Sequence, residues 1–311
     1  MLVIFFLCLM GACKGDAKEG SAAQPSAAPH APSTGFSGTA AWNYAKAQVD
    51  FGPRVPGSPA AKKAGDWIIS QMRARADTVI VQAFTYTTAD GKKLPLRNIL
   101  ARFRPSDTSR VLFLTHWDSR PVSESAATEA ERKMPVPGAN DGASGVGMFV
   151  ALGDLLKKTK PTVGVDLLFT DGEDYGQFGP PEVDVLIGAK YFANHLPSPG
   201  YKPSYGVLWD MIGDKDLRIP YEMNSFQQAP DVVSRVWQTA ADLGYGNIFV
   251  QESGGLITDD HIPLLNAGIK VIDVIDLTYP PHHTPQDTMD KISPQSLGIV
   301  GDVAAALVTR K

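Results

Sequence analysis

The chain has 311 residues, of which 43% are hydrophobic and 20% charged, as in an ordinary globular protein. Its formal net charge of -4, together with the lack of any basic run in the sequence, argues against a nucleic-acid-binding surface. The length allows one large domain or two.

Residues 1–13 are predicted to be a targeting segment that lies outside the fold. Residues 2–10 are apolar but too short to span a bilayer, which is typical of a signal-peptide core. The order Met10-Gly-Ala-Cys13 resembles a bacterial lipoprotein processing site, where the cysteine becomes lipidated. We therefore expect an exported lipoprotein that contacts the membrane only through a lipid anchor on Cys13, in the periplasm or at the cell surface.

Residues 14–37 are rich in Ala, Pro, Ser and Gly and are predicted to form a flexible tether. Cys8 and Cys13 are the two cysteines of the chain, so residues 38–311 contain none. This excludes a disulfide, a thiol nucleophile and a cysteine-ligated metal site from that part of the protein.

Helical and strand patterns alternate from residue 38 onward. In chain order we predict a helix at 40–49, a helix at 59–75 capped by Ser58, a hairpin of strands 79–86 and 96–103 with its turn at Asp90-Gly91, a strand at 111–115, a helix at 142–157, a strand at 165–170, a helix at 183–195, a strand at 205–210, a helix at 231–243, a strand at 270–275 and a helix at 294–309. This order predicts a single domain over 38–311: a three-layer α/β sandwich with a mostly parallel central mixed sheet flanked by helices.

Acidic residues follow a buried strand at Asp171-Gly-Glu173-Asp174. Open α/β sheets bind their ligands at the carboxyl ends of the strands. One carboxylate of such a pair can bind a metal while its neighbour moves protons. The pair alone is a weak signal, because acidic turns are common.

Further segments supply the histidines and carboxylates of a zinc site. They are His116-Trp-Asp118, the glycine-rich Gly138-Ala-Asn-Asp141-Gly, Asp210 after its strand, Asp259-Asp260-His261, and Pro281-His282-His283-Thr284. Asp118 could orient a ligand. Only His283 of the adjacent histidine pair is expected to be a ligand, because neighbouring side chains of an extended chain point in opposite directions.

Two other features are candidates for the site. Asp210, Asp259 and Asp260 would repel one another if they lay close together, so one of them should hold or share a proton. The polar loop 120–137 is long, and such loops are usually functional or mobile.

These segments, in this order, resemble the zinc exopeptidase superfamily of aminopeptidases. The resemblance includes Gly52-Pro-Arg-Val-Pro-Gly-Ser58 and His-Thr-Pro-x-Asp at 283–287, and it extends from about Ala40 to the C-terminus. Two branches compete: the two-zinc aminopeptidases and the one-zinc glutaminyl-peptide cyclotransferases of the animal type. Asp259-Asp260-His261-Ile-Pro and Leu208-Trp-Asp210-Met-Ile-Gly213 favour the cyclotransferases.

The chain departs from the animal cyclotransferases at three positions of this pattern. They have Trp where this chain has His282, His where it has Asp273, and a Glu ligand where it has Asp174. These changes concern the substrate pocket more than the metal site. Tyr279 and Phe178 are candidates for the pocket wall, with core packing as the more expected role of Phe178.

The cyclotransferase resemblance implies peptide or protein substrates with an N-terminal Gln, which is converted to pyroglutamate with release of ammonia. It implies one zinc ion bound by Asp141, Asp174 and His283, and Glu173, Asp210 and Asp259 as catalytic residues. Glu173 would take a proton from the attacking α-amine and give it to the departing ammonia. Asp210 and Asp259 would hold the substrate amine and amide. The resemblance also implies a cis peptide bond between Asp141 and Gly142.

The aminopeptidase alternative uses the same residues differently. His116 and Asp210 would join Asp141 in binding a second zinc ion, and Glu173 would activate water. A non-catalytic binding module on the same fold would require a broken set of acids, and this chain keeps the whole set.

Overall fold

The structure is a computed structural model that describes residues 34–310. The predicted targeting segment, Cys13 and most of the predicted tether lie outside these residues. The boundaries at 13 and 37 therefore remain predictions.

The described chain alternates between helices and strands. Its helices are α1 Gly38–Val49, α2 Pro59–Arg73, α3 Glu129–Arg132, α4 Ala143–Lys158, α5 Ile187–Asn194, α6 Met223–Gln228, α7 Pro230–Asp242, α8 His261–Asn266 and α9 Pro294–Thr309. Its strands are β1 Thr78–Thr87, β2 Lys93–Phe103, β3 Arg110–His116, β4 Gly164–Thr170, β5 Tyr205–Asp210, β6 Ile219–Tyr221, β7 Phe249–Ser253 and β8 Val271–Ile275.

A six-stranded mixed sheet with the order β1-β2-β4-β3-β5-β8 forms the centre of the domain. β1 and β2 form the predicted antiparallel hairpin, and β2 also runs antiparallel to β4. The remaining pairs, β4 with β3, β3 with β5 and β5 with β8, are parallel. β3, β4, β5 and β8 are buried along their whole length, which explains why their sequences are mostly apolar; β4 and β8 each contain one buried acid, Asp166 and Asp273.

Helices cover both faces of this sheet, which confirms the predicted three-layer architecture. On one face, Phe113 and Leu167 pack in a core shared with α1, α2, α4, α7 and α9. On the other face, Leu114 and Leu168 pack against α5 and α8. Within residues 34–310, no helix has the length and apolar character needed to cross a bilayer.

Local signals in the sequence set several element boundaries. The Ser58 hydroxyl accepts a hydrogen bond from Ala61 N at 3.1 Å, so the predicted cap of α2 is confirmed. The helix predicted at 183–195 begins only at Ile187, because Asp184 and Leu186 adopt left-handed backbone conformations with φ of 57° and 54°. β6, β7, α3 and α6 were not predicted.

Candidate metal and catalytic site

The site lies where the carboxyl ends of the parallel strands meet. His116 is the last residue of β3, Asp210 is the last residue of β5, and Glu173 and Asp174 follow β4. The loop before α4 brings Asp141 to the same edge of the sheet. The loop between β8 and α9 contributes His283.

Asp141, Asp174 and His283, the predicted zinc ligands, converge around one imidazole nitrogen. His283 Nε2 lies 3.3 Å from Asp174 Oδ1 and 3.6 Å from Asp141 Oδ2. Two ligand atoms bound to one zinc ion at tetrahedral angles are roughly 3.4 Å apart. Asp141 Oδ2 and Asp174 Oδ2 are buried, and within residues 34–310 neither accepts a hydrogen bond. These oxygens and this nitrogen fit the donor set of zinc.

Asp174 approaches His283 but lies farther from Asp141, the other predicted ligand. The ligand atoms of Asp141, His282 and His283 all lie within 4.8 Å of one another, and Asp174 does not belong to this group. Its Oδ1 also accepts a hydrogen bond from Arg120 Nη1 at 2.7 Å. An aspartate is one methylene shorter than the glutamate expected here, so Asp174 reaches less far toward Asp141. Its role as a ligand remains a prediction.

A second cluster contains His116, Asp141 and Asp210. His116 Nε2 lies 3.0 Å from Asp141 Oδ1 and 3.2 Å from Asp210 Oδ1. Burial opposes protonation of His116, but Asp210, Asp118 and Asp141 outweigh it and raise its pKa well above the usual value. Asp141 thus faces one cluster with each oxygen. Asp141 could therefore offer one oxygen to each of the two clusters.

His282 does not point away from the site, so that prediction was wrong. Its ring lies against the His283 ring, with centroids 3.7 Å apart, and its Nε2 is 3.9 Å from Asp141 Oδ2. The chain turns here and His283 has φ of 54°, so the opposite orientation of neighbouring side chains in a strand does not apply. His282 therefore faces the same pocket as His283.

Asp118 and Asp287 hold the backbone of the predicted ligands. Asp118 accepts hydrogen bonds from Glu173 N and Asp174 N, both at 3.1 Å. Asp287 accepts from Asn140 N at 2.8 Å and from Asp141 N at 3.1 Å. Sequence reasoning suggested the orienting role of Asp118 but assigned none to Asp287, although it belongs to the His-Thr-Pro-x-Asp motif.

Three other groups at the site were not predicted. Arg54 is fully buried and donates to Gly138 O at 2.6 Å, next to the loop that carries Asp141. Burial lowers its pKa to about 10. Arg120 Nε donates to Glu124 Oε2 at 2.6 Å, and Glu124 Oε1 accepts from His283 Nδ1 at 2.7 Å. Arg120 and Glu124 both lie on the loop 120–137, whose length was the signal for a functional segment.

The turn into α4 requires glycine at Gly142. Its φ is 94°, and a Cβ atom would lie 2.6 Å from Asp118 O and 3.1 Å from His116 Cε1. The expected cis bond between Asp141 and Gly142 is absent, since Pro180-Pro181 is the cis peptide bond found within residues 34–310. That prediction was wrong, and the left-handed glycine makes the turn with a trans bond.

A cavity of about 480 Å³ opens above the two clusters. Glu173, Asp210 and Asp259 line it together with His282 and His283. Burial raises the pKa of Glu173 well above its usual range, with further contributions from Asp259 and Asp174. Burial also raises the pKa of Asp259, and the neighbouring Asp210 and Asp260 carboxylates add to the shift. Burial also raises the pKa of Asp260, to about 7, so the protonated form is favoured at both Asp259 and Asp260.

The pocket wall differs from the expectation at both positions, because core packing was the more expected role of Phe178. Phe178 lines the cavity. Tyr279 does not line it, because its hydroxyl donates to Asp287 Oδ1 at 2.7 Å in the interior behind the site. Tyr279 therefore supports the carboxylate that holds the Asp141 loop.

Similar proteins include both peptidases and cyclases. A sequence profile described as peptidase family M28 matches residues 98–308. The chain is 24% identical over 300 residues to aminopeptidase YwaD of Bacillus subtilis, a match that covers 90% of this chain and 58% of that protein. Porphyromonas gingivalis glutaminyl cyclase is 39% identical, with a TM-score of 0.83 over 87% of this chain and 96% of that chain. A Zn-dependent exopeptidase from Parabacteroides distasonis is 34% identical, with a TM-score of 0.84 over 89% of this chain and 99% of that chain.

Proposed function

Because the chain belongs to peptidase family M28, we propose that it is a zinc-dependent glutaminyl-peptide cyclotransferase that acts on peptides or proteins with an N-terminal Gln. Family membership and the zinc-dependent relatives imply zinc. We propose one zinc ion per chain and cyclisation of the N-terminal Gln as the reaction. The glutaminyl cyclase and the Zn-dependent exopeptidase resemble the chain to a similar degree, with TM-scores of 0.83 and 0.84, so the choice between the two reactions rests on the site.

Asp141, Asp174 and His283 would hold the zinc ion. The support for this set is the approach of both carboxylates to His283 Nε2 and the two buried oxygens without hydrogen-bond partners. A bound zinc ion would supply a Lewis acid that polarises the side-chain amide carbonyl of the substrate glutamine.

Glu173 would move the proton. The α-amine of the substrate attacks the side-chain amide carbon, a C–N bond forms in the new ring, and the C–N bond to the leaving nitrogen breaks. Glu173 accepts the proton lost by the amine and transfers it to the nitrogen that leaves as ammonia. Burial and neighbouring acids raise the pKa of Glu173, which brings its proton affinity closer to that of the groups it serves.

The pair Asp259 and Asp210 is the observation that carries the proposal. Both line the cavity, both are buried, and Asp210 contributes to the raised pKa of Asp259. A protonated Asp259 can donate to a substrate carbonyl oxygen, and a carboxyl oxygen of Asp210 can accept from the substrate amine. The aminopeptidase alternative gives Asp259 no role. An intramolecular attack also requires no water nucleophile, so the groups mainly hold a reactive geometry.

A two-zinc aminopeptidase is the second candidate. It is favoured by the cluster of His116, Asp141 and Asp210, whose ligand atoms lie at distances suited to a second ion. In that enzyme Glu173 would activate water. The same residues serve both reactions, so the decision must come from substrates.

The test is a comparison of substrates on the purified protein. We expect ammonia release and pyroglutamate formation from Gln-peptides, no hydrolysis of Leu- or Ala-anilides, and one zinc ion per chain by elemental analysis. The Asp141→Ala variant should lose zinc, and the Asp231→Ala variant serves as a control, since Asp231 is an exposed partner of Lys270. Release of free amino acids from Leu-peptides with two ions per chain would refute the cyclotransferase proposal.

We also propose that the protein is exported and anchored through a lipid on Cys13. This rests on the sequence Met10-Gly-Ala-Cys13 and the Ala-, Pro- and Ser-rich segment that follows it. Such an anchor would place the catalytic region near a membrane, where it would meet exported peptides and proteins.

A further inference from the structure

Glu124, on the loop 120–137, contacts the proposed ligand His283 directly and the proposed ligand Asp174 through Arg120. Its Oε1 accepts a hydrogen bond from His283 Nδ1 at 2.7 Å, and its Oε2 accepts from Arg120 Nε at 2.6 Å. Arg120 Nη1 donates to Asp174 Oδ1 at 2.7 Å, and that oxygen lies 3.3 Å from His283 Nε2. Four side chains thus form a closed ring that contains two of the three proposed ligands.

An imidazole can bind a metal through only one nitrogen while the other carries a proton and donates it. A carboxylate that accepts this proton fixes both the tautomer and the orientation of the ring. Glu124 lies on the Nδ1 side of His283, which leaves Nε2 facing Asp141 and Asp174. Ser125 N also donates to His283 O at 3.2 Å, so the same loop holds the backbone of this histidine.

We propose that Glu124 is a positioning residue that fixes His283 with Nε2 toward the zinc ion and, through Arg120, fixes Asp174. The inference rests on the proposed zinc site, and it holds whether the reaction is cyclisation or hydrolysis. It gives the loop 120–137 a function: the loop holds two ligands that come from different parts of the chain.

The ring differs from an ordinary surface ion pair. Glu124 is 43% exposed, and an exposed ion pair contributes little to folding. Its partners are more buried, with side-chain exposures of 6% for Arg120 and 12% for His283. Removal of Glu124 should therefore change the orientation of the ligands and leave the stability of the fold nearly unchanged.

The experiment measures zinc affinity by competition with a chelator on the purified full chain. We expect Glu124→Ala to bind zinc roughly 10–100-fold more weakly than the wild type, as is usual when a group that orients a ligand is removed. Glu124→Gln keeps an oxygen that can accept from Nδ1, so it should recover part of this loss. Glu129→Ala is the matched control, because Glu129 lies on the same loop, is exposed, and forms an ion pair with Lys133, which is also exposed.

Two further readouts separate positioning from a structural role. The thermal midpoint of the zinc-stripped protein should be the same in the wild type and Glu124→Ala. In the zinc-loaded protein, the Nδ1–H proton resonance of His283 should shift upfield in Glu124→Ala and remain close to its wild-type position in Glu124→Gln.

Zinc affinity and a His283 resonance that are both unchanged in Glu124→Ala would overturn the inference. If Glu124→Ala fails to fold, Glu124→Gln is the deciding variant. Wild-type zinc affinity together with a displaced His283 Nδ1–H resonance in Glu124→Gln would also contradict the inference. A wild-type chain that binds no zinc would instead refute the proposed metal site itself.

Discussion

The substitution Asp259→Asn tests the proposed reaction most directly. Asp259 is only 4% exposed, and its Oδ1 accepts from Asp260 N at 2.5 Å. Asparagine keeps this shape and its carbonyl oxygen can still accept from Asp260 N, so the backbone at the start of α8 should be preserved. Its amide N–H can still donate a hydrogen bond, so what it loses is the capacity to give up and take back a proton, whose presence on Asp259 is favoured by burial and Asp210 in the native protein.

The expected loss can be estimated from what the carboxyl group does. A positioned acid or base contributes about 10²–10⁴-fold to a reaction, and we expect a fall in kcat/KM for Gln-peptides of about 10²–10³-fold. This corresponds to about 3–4 kcal/mol of transition-state stabilisation. Stability should not fall, because the variant removes one member of a buried group of acids that repel one another.

The assay is ammonia release from a Gln-peptide, with zinc content and thermal midpoint measured on the same samples. Zinc content should stay at the wild-type value, since Asp259 is not a proposed ligand. Asp231→Asn provides an exposed control of the same chemistry. Full cyclisation activity in Asp259→Asn, with zinc bound, would refute the role given to this carboxyl group. Leu-peptide hydrolysis that ignores the substitution would favour the aminopeptidase.

Three other predictions concern the backbone, the acid stability and the anchor. Gly142→Ala places a methyl group 2.6 Å from Asp118 O at φ of 94°, so it should lower the free energy of unfolding by about 2 kcal/mol or more and reduce zinc binding, as measured by denaturant titration and elemental analysis. Burial acts to raise the pKa of Glu222, but His261, whose Nε2 lies 3.2 Å from Oε2, and hydrogen bonds from Ser225 and the backbone outweigh it and lower the pKa to about 2. The stabilisation by Glu222 is therefore present above about pH 4.5 and lost as the pH falls toward 2, and Glu222→Gln should flatten this part of the stability curve by about 3 kcal/mol. Cells grown with labelled palmitate should label the wild-type protein but not Cys13→Ala, and an unlabelled cytosolic wild-type product would contradict the proposed anchor.

The strands that deliver the site were predictable because of their burial. β3, β4 and β5 are covered on both faces, so their sequences are mostly apolar, apart from the ion-paired Asp166 of β4, and the apolar runs stop at His116, Asp171 and Asp210. A parallel arrangement then brings these ends to one edge of the sheet. Helix caps such as Ser58 were equally visible, since a hydroxyl before proline is a local signal.

The loops and short elements were not predictable in the same way. β6 has three residues and α3 has four, too few to show a period. His282 was misplaced because the left-handed backbone of His283 cannot be inferred from a rule for extended chains. Glu124 and Arg120 contact ligands that lie 159 and 54 residues away in sequence, and a contact at that separation leaves no local pattern.

Asp210 has a role in both candidate reactions, and it cannot perform both roles at the same time. As a ligand of a second zinc ion it must offer an ionised oxygen beside His116, whose Nε2 lies 3.2 Å away. As the partner of Asp259 it must instead accept from the substrate amine within the same cavity. A second dication would also withdraw charge from Asp210 and so weaken the effect that favours the proton on Asp259. Zinc added beyond one ion per chain should therefore inhibit cyclisation, because it removes Asp210 from the substrate.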